Sequence, residues 1–374
     1  MADPRLERMA ETLVRYSAGV KRGDIVKIQG GVEAAPLIRE VYRACLERGA
    51  HPYTQVGVPG LDEIFFEKAG RAQLGFLQPV SLFEIKKVDV VISILSEVNT
   101  KRLTGVDPAR QALAQRARKP IMDVFMRRSA AHAAGKKEGG LRWTLTLYPT
   151  QAYAQDAEMS LEDYTKFVFK ACFAEKRDPV AEWKKLSAIQ RQVVRFLKGR
   201  KKVHVMAPGT DLEIGISGRH FINCDGRHNF PDGEVFTGPE ETSVRGHITF
   251  SYPVCYGGRE VEGVRLKFEK GNVVHMAAEK NEAYLRKMLT MDPGARRVGE
   301  FSFAMNEGIQ RFTRNILFDE KIGGTVHLAL GKGYPESGSR NDSALHWDMI
   351  CDLRRGGEVY VDGKLFEKDG KILL

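Results

Sequence analysis

The chain changes texture at Lys201, and that change constrains its fold more than any single motif does. Before it, helical periodicity alternates with short apolar runs. Residues 4–22 carry Leu6, Met9, Ala10, Leu13 and Val14 at helical spacing, and Gly23-Asp24 closes the pattern ahead of DIVKIQG, which reads as a strand. PLIREVYRACLERGA repeats the helical pattern and HPYTQVGV the strand. VDVVISILSE at 88–97 is apolar on both faces, as a buried parallel strand must be, and KPIMDVF at 119–125 reads as another. Residues 160–200 read as helical, with caps at Ser160 and Asp178. After Lys201, KVHVMAPGTDLEIGISG, VRGHITFSYPVCYGG and EVYVDGKLFEKDGKILL alternate apolar and polar residues between glycine turns. A chain of 374 residues exceeds one comfortable core. The expectation is therefore an open, mostly parallel α/β domain over 1–190, followed by an α+β domain with a largely antiparallel sheet over 191–374.

Composition removes several classes of function. The five cysteines are scattered and never form a C-x-x-C pair, which argues against a disulfide framework and a cysteine zinc knuckle and predicts a cytoplasmic protein. MADPRLERMAETLVRY is charged where a signal peptide would be apolar, and no apolar run reaches membrane-spanning length. The net charge of +10 raises the question of nucleic acid. Yet KGRKK at 198–202 and the basic residues of 126–137 lack interleaved aromatics and match no groove-reading module. Gly30-Gly31 opens no G-x-G-x-x-G, so a dinucleotide site is not expected. Neither nucleic acid nor membrane is expected as a partner.

The residues with chemistry to offer concentrate in HLALGKGYPESGSRNDSALHWDMICD, from His327 to Asp352. HLALG reads as a strand delivering His327 to a loop edge. In LHWDMI, His346 and Asp348 are two residues apart, so in an extended strand both leave the same face and can converge on one ion. The polar loop between them suits the mouth of a site. Three more stretches set carboxylates beside apolar segments: Glu234 after a P-D-G turn, Glu300 in RRVGEFSF, and Asp319 with Glu320 closing RNILFDE. A carboxylate entering such a segment carries a desolvation penalty unless it is paired or bound to a cation.

Taken in order, GEVFT, VGE, LFDE followed by HLALG, GYP and S-x-x-H-x-D-M-I resemble the M29 family of metallo-aminopeptidases, the thermophilic aminopeptidase type. The resemblance spans the C-terminal half through these motifs and extends more loosely over the N-terminal part. It implies two divalent metal ions per chain, zinc, cobalt or manganese, held by Glu234, Glu300, Glu320, His327, His346 and Asp348. Glu300 is the implied bridge and Tyr334 of GYP an implied catalytic auxiliary that donates to the oxyanion. It further implies a cytoplasmic homodimer that removes the N-terminal residue from short peptides with a free amine. The chain departs from the family pattern in a short segment between Glu300 and Glu320 and a lengthened KIGGTV at 321–326, which bears on Glu320. Glu307 and Glu336 are candidate general bases. Two other readings fit the same residues: a dinuclear hydrolase of non-peptide amides, and a basic binding protein that has lost catalysis.

Overall fold

The computed structural model describes residues 3–136, 139–256 and 259–374. It divides into two compact units, Met1–Val180 with Arg227–Phe230, and Ala181–Gly226 with Pro231–Leu374. In the first unit a parallel sheet runs in the order His51–Gly57, Ile25–Gly31, Val90–Leu95, Arg142–Leu147. Val90 and Ile92 on one face of Val90–Leu95 and Val91 on the other are all buried, as a run apolar on both faces requires, and Val26 and Ile28 are fully buried on one face of Ile25–Gly31. The helix Ala35–Glu47 buries Leu37, Ile38, Val41, Ala44 and Cys45 along one side. Arg102, in the loop after Val90–Leu95, is tied by ion pairs to Asp62 and Glu97.

One expected strand is a helix. KPIMDVF lies inside the helix Pro108–Ala133, and the fourth strand is Arg142–Leu147 instead. Its short apolar run carried no period long enough to separate the two states. Tertiary contact decides: Ile121, Val124 and Phe125, at helical spacing, pack with Ile85, Val88, Val91 and Leu141, while Met122 stays exposed. Lys119 and Asp123 add an ion pair one turn apart at 2.7 Å, and Pro120 is accommodated within the helix.

The second unit contains the antiparallel structure expected after Lys201. One sheet of eight strands includes Lys202–Ala207, Thr210–Gly215 and Glu358–Val361, and another of five runs His346–Asp352, Thr325–Gly331, Val298–Ala304, Glu234–Thr237, Ile222–Cys224. Both D-G turns close hairpins with positive φ at each central residue, Asp362 (49°) with Gly363 (80°) and Asp369 (47°) with Gly370 (73°). A single core joins the sheets. Val203, Val205, Leu212 and Ile214 from one meet Phe301, Phe303, Val326, Leu328, Leu330, Trp347 and Met349 from the other, and Val193 and Leu197 of the helix Pro179–Leu197 join them. Each such fully buried side chain contributes about 1.5–3 kcal/mol.

Glu367 follows core residue Phe366 on the strand Lys364–Lys368 and is only 2% exposed. Burial pushes its carboxyl from 4.5 up to about 8. The folded chain therefore keeps a proton that the unfolded chain has released. The stability this gives is complete below the unfolded value and is lost as pH rises through about 8. Thermal unfolding at about pH 5 and about pH 9 tests this: the drop in Tm should be smaller in Glu367→Gln than in the parent chain. Equal drops would show that Glu367 does not carry the effect.

Candidate metal centre

The five-stranded sheet has two faces of opposite character, and strand periodicity assigns every residue to one of them. Phe301 and Phe303, Leu328 and Leu330, and Trp347 and Met349 point into the core. The alternate positions, Glu300 and Ser302, His327 and Ala329, and His346 and Asp348, point the other way. Register aligns them in rows. Asp348 lies opposite Ala329 and Ala329 opposite Glu300; His327 lies opposite Ser302; Glu234 lies opposite Ala304. Ala329 thus separates two carboxylates with nothing larger than a methyl group. Gly299, at the bulge beside Glu300, lets the backbone approach closely: a Cβ there would sit 2.3 Å from the Gly331 carbonyl oxygen.

Both imidazoles are fixed in the same sense. His327 Nδ1 lies 2.9 Å from the Glu320 carbonyl oxygen and His346 Nδ1 lies 2.8 Å from that of Lys332. A carbonyl can only accept, so each Nδ1 carries a hydrogen and each Nε2 is the ring nitrogen turned toward the carboxylates, where it donates when protonated and can bind an ion once that proton leaves. His327 Nε2 is 3.3 Å from Glu234 Oε2 and 3.4 Å from Glu300 Oε1. His346 Nε2 is 3.5 Å from Glu300 Oε2 and 3.6 Å from Asp348 Oδ2. Glu300 therefore divides its two oxygens between the two histidines. Three of the groupings formed are Glu234 with Glu300 and His327, Glu300 with His346 and Asp348, and Glu320 with His327 and Asp348. All six sequence candidates for ligands are within them.

Tyr334 stands at the edge of this cluster. Its ring centroid is 5.3 Å from that of His346 and 5.3 Å from that of Phe236, and the residue is 40% exposed. Burial of its inner part, together with Glu300 and Asp348, raises the phenol well above its usual range, so the hydroxyl keeps its proton. Other candidates lie elsewhere. Asp319 is turned onto Thr313, accepting from its backbone N–H at 2.7 Å and its hydroxyl at 2.8 Å. Glu307 and Glu336 are exposed and belong to none of the groupings.

The structure adds neighbours that sequence reading missed. Lys321, the one buried lysine among the described residues, forms an ion pair with Glu320 and lies 3.9 Å from Glu234 Oε1. Asp232 and Cys224 also group with Glu234. No local signal in the sequence marks Lys321, at the start of KIGGTV, or Asp232, within the P-D-G turn, as buried. Burial raises the carboxyl groups of Glu234 and Glu320, against the opposing effect of Lys321, and raises Asp232 to about 7. Burial lowers the proton affinity of His327, but Glu300 and Glu234 outweigh it and hold the ring at about 10. Protons and one ammonium thus neutralise the buried carboxylates, and a divalent cation can displace those protons. Carboxylate oxygens converging with imidazole nitrogens fit a hard-to-borderline divalent ion.

The description of a known family, thermophilic metalloprotease (M29), matches this chain over residues 2–370. The chain belongs to the M29 metalloproteases. Within M29 terms, its relatives include aminopeptidase 2 of Geobacillus stearothermophilus, 27% identical over 99% of this chain and 95% of that protein. Aminopeptidase T of Thermus thermophilus is also 27% identical, over 96% of this chain and 94% of its own length. Among solved structures, wild-type AmpT from Thermus thermophilus shares the fold with a TM-score of 0.84 at 24% identity, covering 99% of both chains. A 2,5-dihydroxypyridine dioxygenase from Pseudomonas putida KT2440 shares it more distantly, with a TM-score of 0.57 at 14% identity over 98% of this chain and 96% of that one. The likeness to the dioxygenase is one of fold alone, and fold does not by itself fix the reaction.

The row Asp348–Ala329–Glu300 gives this candidate centre its most direct test. Ala329→Leu fills the space between the two carboxylates while keeping every proposed ligand. Divalent-ion affinity should fall at least about tenfold, while overpacking lowers stability by about 1–3 kcal/mol. Metal titration beside thermal unfolding separates the two effects. Parental affinity in a folded Ala329→Leu protein would mean that the space is not where a cation binds.

Proposed function

We propose that this chain is a metal-dependent aminopeptidase whose centre takes two divalent ions, zinc, cobalt or manganese, and removes the N-terminal residue from short peptides. The observation that carries this reading is the division of Glu300 between His327 and His346, an arrangement suited to a carboxylate that bridges two cations. Glu234, Glu300 and His327 would hold one ion, Glu300, His346 and Asp348 the other, and Glu320 lies within reach of His327 and Asp348. When bound, such a pair polarises the scissile carbonyl and lowers the pKa of the attacking water. The protein's own groups supply the rest. The carbonyls of Glu320 and Lys332 hold the imidazoles in one tautomer, which is how outer partners tune ligands. Ser302 donates to Glu234 Oε2 at 3.1 Å and fixes that carboxylate. Tyr334 is partly exposed and protonated, as a donor to a substrate oxyanion must be.

The named relatives support the aminopeptidase reading, since they are called aminopeptidase 2 and aminopeptidase T. A cytoplasmic homodimer with enclosed sites, admitting only short peptides, is part of the same proposal. Among the described residues no helix is long and apolar enough to cross a membrane.

Elemental analysis of fully active enzyme should find about two divalent ions per chain, and chelation should abolish turnover. One ion or fewer at full activity would rule out the dinuclear reading. Leucyl anilides should be hydrolysed and their N-acylated counterparts left intact; the reverse would favour a different amidase. Tyr334→Phe should lower kcat by roughly ten- to a thousandfold, with little change in KM or metal content, because the contact is made mainly in the transition state. Full turnover in that variant would reduce Tyr334 to a packing role.

A further inference from the structure

Lys321 has no place in the ligand set, yet its side chain is completely buried against it. Its ammonium pairs with Glu320 and faces Glu234 Oε1 at 3.9 Å. Glu234 turns its other oxygen to His327 Nε2, 3.3 Å away, so one carboxylate is shared between a lysine and an imidazole. Asp232 groups with Glu234 and interacts electrostatically with Lys321. Glu320 is divided in a different way: its backbone carbonyl orients His327 while its side chain is engaged by Lys321. The lysine therefore touches two carboxylates of the cluster, Glu320 and, through the oxygen that does not face His327, Glu234.

Two consequences follow from electrostatics. Buried carboxylates left without a counter-charge destabilise a fold, so an ammonium fixed among them supports the protein when no metal is bound. That same positive charge, a few ångströms from the ligands, opposes a divalent ion, and any ion using the Glu320 carboxylate must share it with the lysine. We infer that Lys321 is a resident counter-ion and positioning residue of this centre: it holds Glu320 and Glu234 in the metal-free protein and weakens the metal position that Glu320 completes. The inference rests on the reading of these carboxylates as metal ligands. It does not need the lysine to change protonation, only to stay charged and in place.

The two roles separate by direction. A lysine that merely supports the fold would, when removed, leave metal affinity unchanged or weaken it; a competing counter-ion, when removed, tightens it. The full-length metal-free protein is titrated with zinc or manganese against a chelator, and its Tm is measured with and without metal. Lys321→Met should lower the metal-free Tm, tighten the weaker metal Kd by about tenfold or more, and enlarge the rise in Tm on loading, as linkage requires. Lys321→Arg should keep the parental affinity within a few-fold. Unchanged or weaker binding by Lys321→Met overturns the inference. If that variant folds only with metal present, its rate of metal release to chelator is read instead: slower release than in the parent supports the inference and equal or faster release overturns it. If it folds in neither state, Lys321→Gln is read by the same criteria. Glu300→Gln serves as the control for the underlying reading. Loss of metal there with no effect at Lys321 sinks only the counter-ion, whereas full metal retention in Glu300→Gln sinks the proposed centre itself.

Discussion

The second unit depends on the opposition of the two faces of one antiparallel sheet. Val298, Phe301 and Phe303, then Val326, Leu328 and Leu330, then Trp347, Met349 and Cys351 enter the shared core from three neighbouring strands. The opposite face carries carboxylates, imidazoles and small side chains, with Ile350 beside His327. A one-residue slip of any strand would carry its histidine or carboxylate into the core and expel a phenylalanine or leucine. Hydrophobic burial thus fixes register, and register sets the distances between Glu234, Glu300, His327, His346 and Asp348. The strands Val298–Ala304 and Thr325–Gly331 are buried on both faces, so the polar face is also removed from water.

That second burial gives the site its chemistry. Carboxylates in water are ordinary; gathered under cover they must hold protons, pair with a cation or destabilise the fold. This chain uses each remedy. Asp319 is satisfied by Thr313 and stays structural, Glu234 and Glu320 share Lys321, and Glu300 faces two imidazoles whose tautomer is set by backbone carbonyls. The contrast between Asp319 and Glu320 is instructive, because these neighbours in sequence are equally acidic. Only their hydrogen-bonding surroundings separate a loop anchor from a member of the cluster. The likeness in fold to a protein named as a dioxygenase is a reminder at larger scale that a scaffold does not by itself fix the reaction.

Much of this was determined by the sequence alone. Period-two patterning placed His346 and Asp348 on one face, glycine turns such as Asp362-Gly363 closed the hairpins, and doubly apolar runs such as Val90–Leu95 called for a parallel sheet. The ordered motifs from GEVFT to HWDMI were enough to indicate M29. These signals are local, set by backbone geometry and by residue spacing within one element. What the tertiary structure decided was everything that needed two distant segments at once. KPIMDVF became a helix because Ile121, Val124 and Phe125 found Ile85 and Leu141 to pack against, a choice its own seven residues could not make. Lys321 became a buried partner of Glu234 because strand pairing brought residues far apart in the chain into one enclosed space. Burial and long-range charge are properties of the assembled fold, and a single segment of sequence does not carry them.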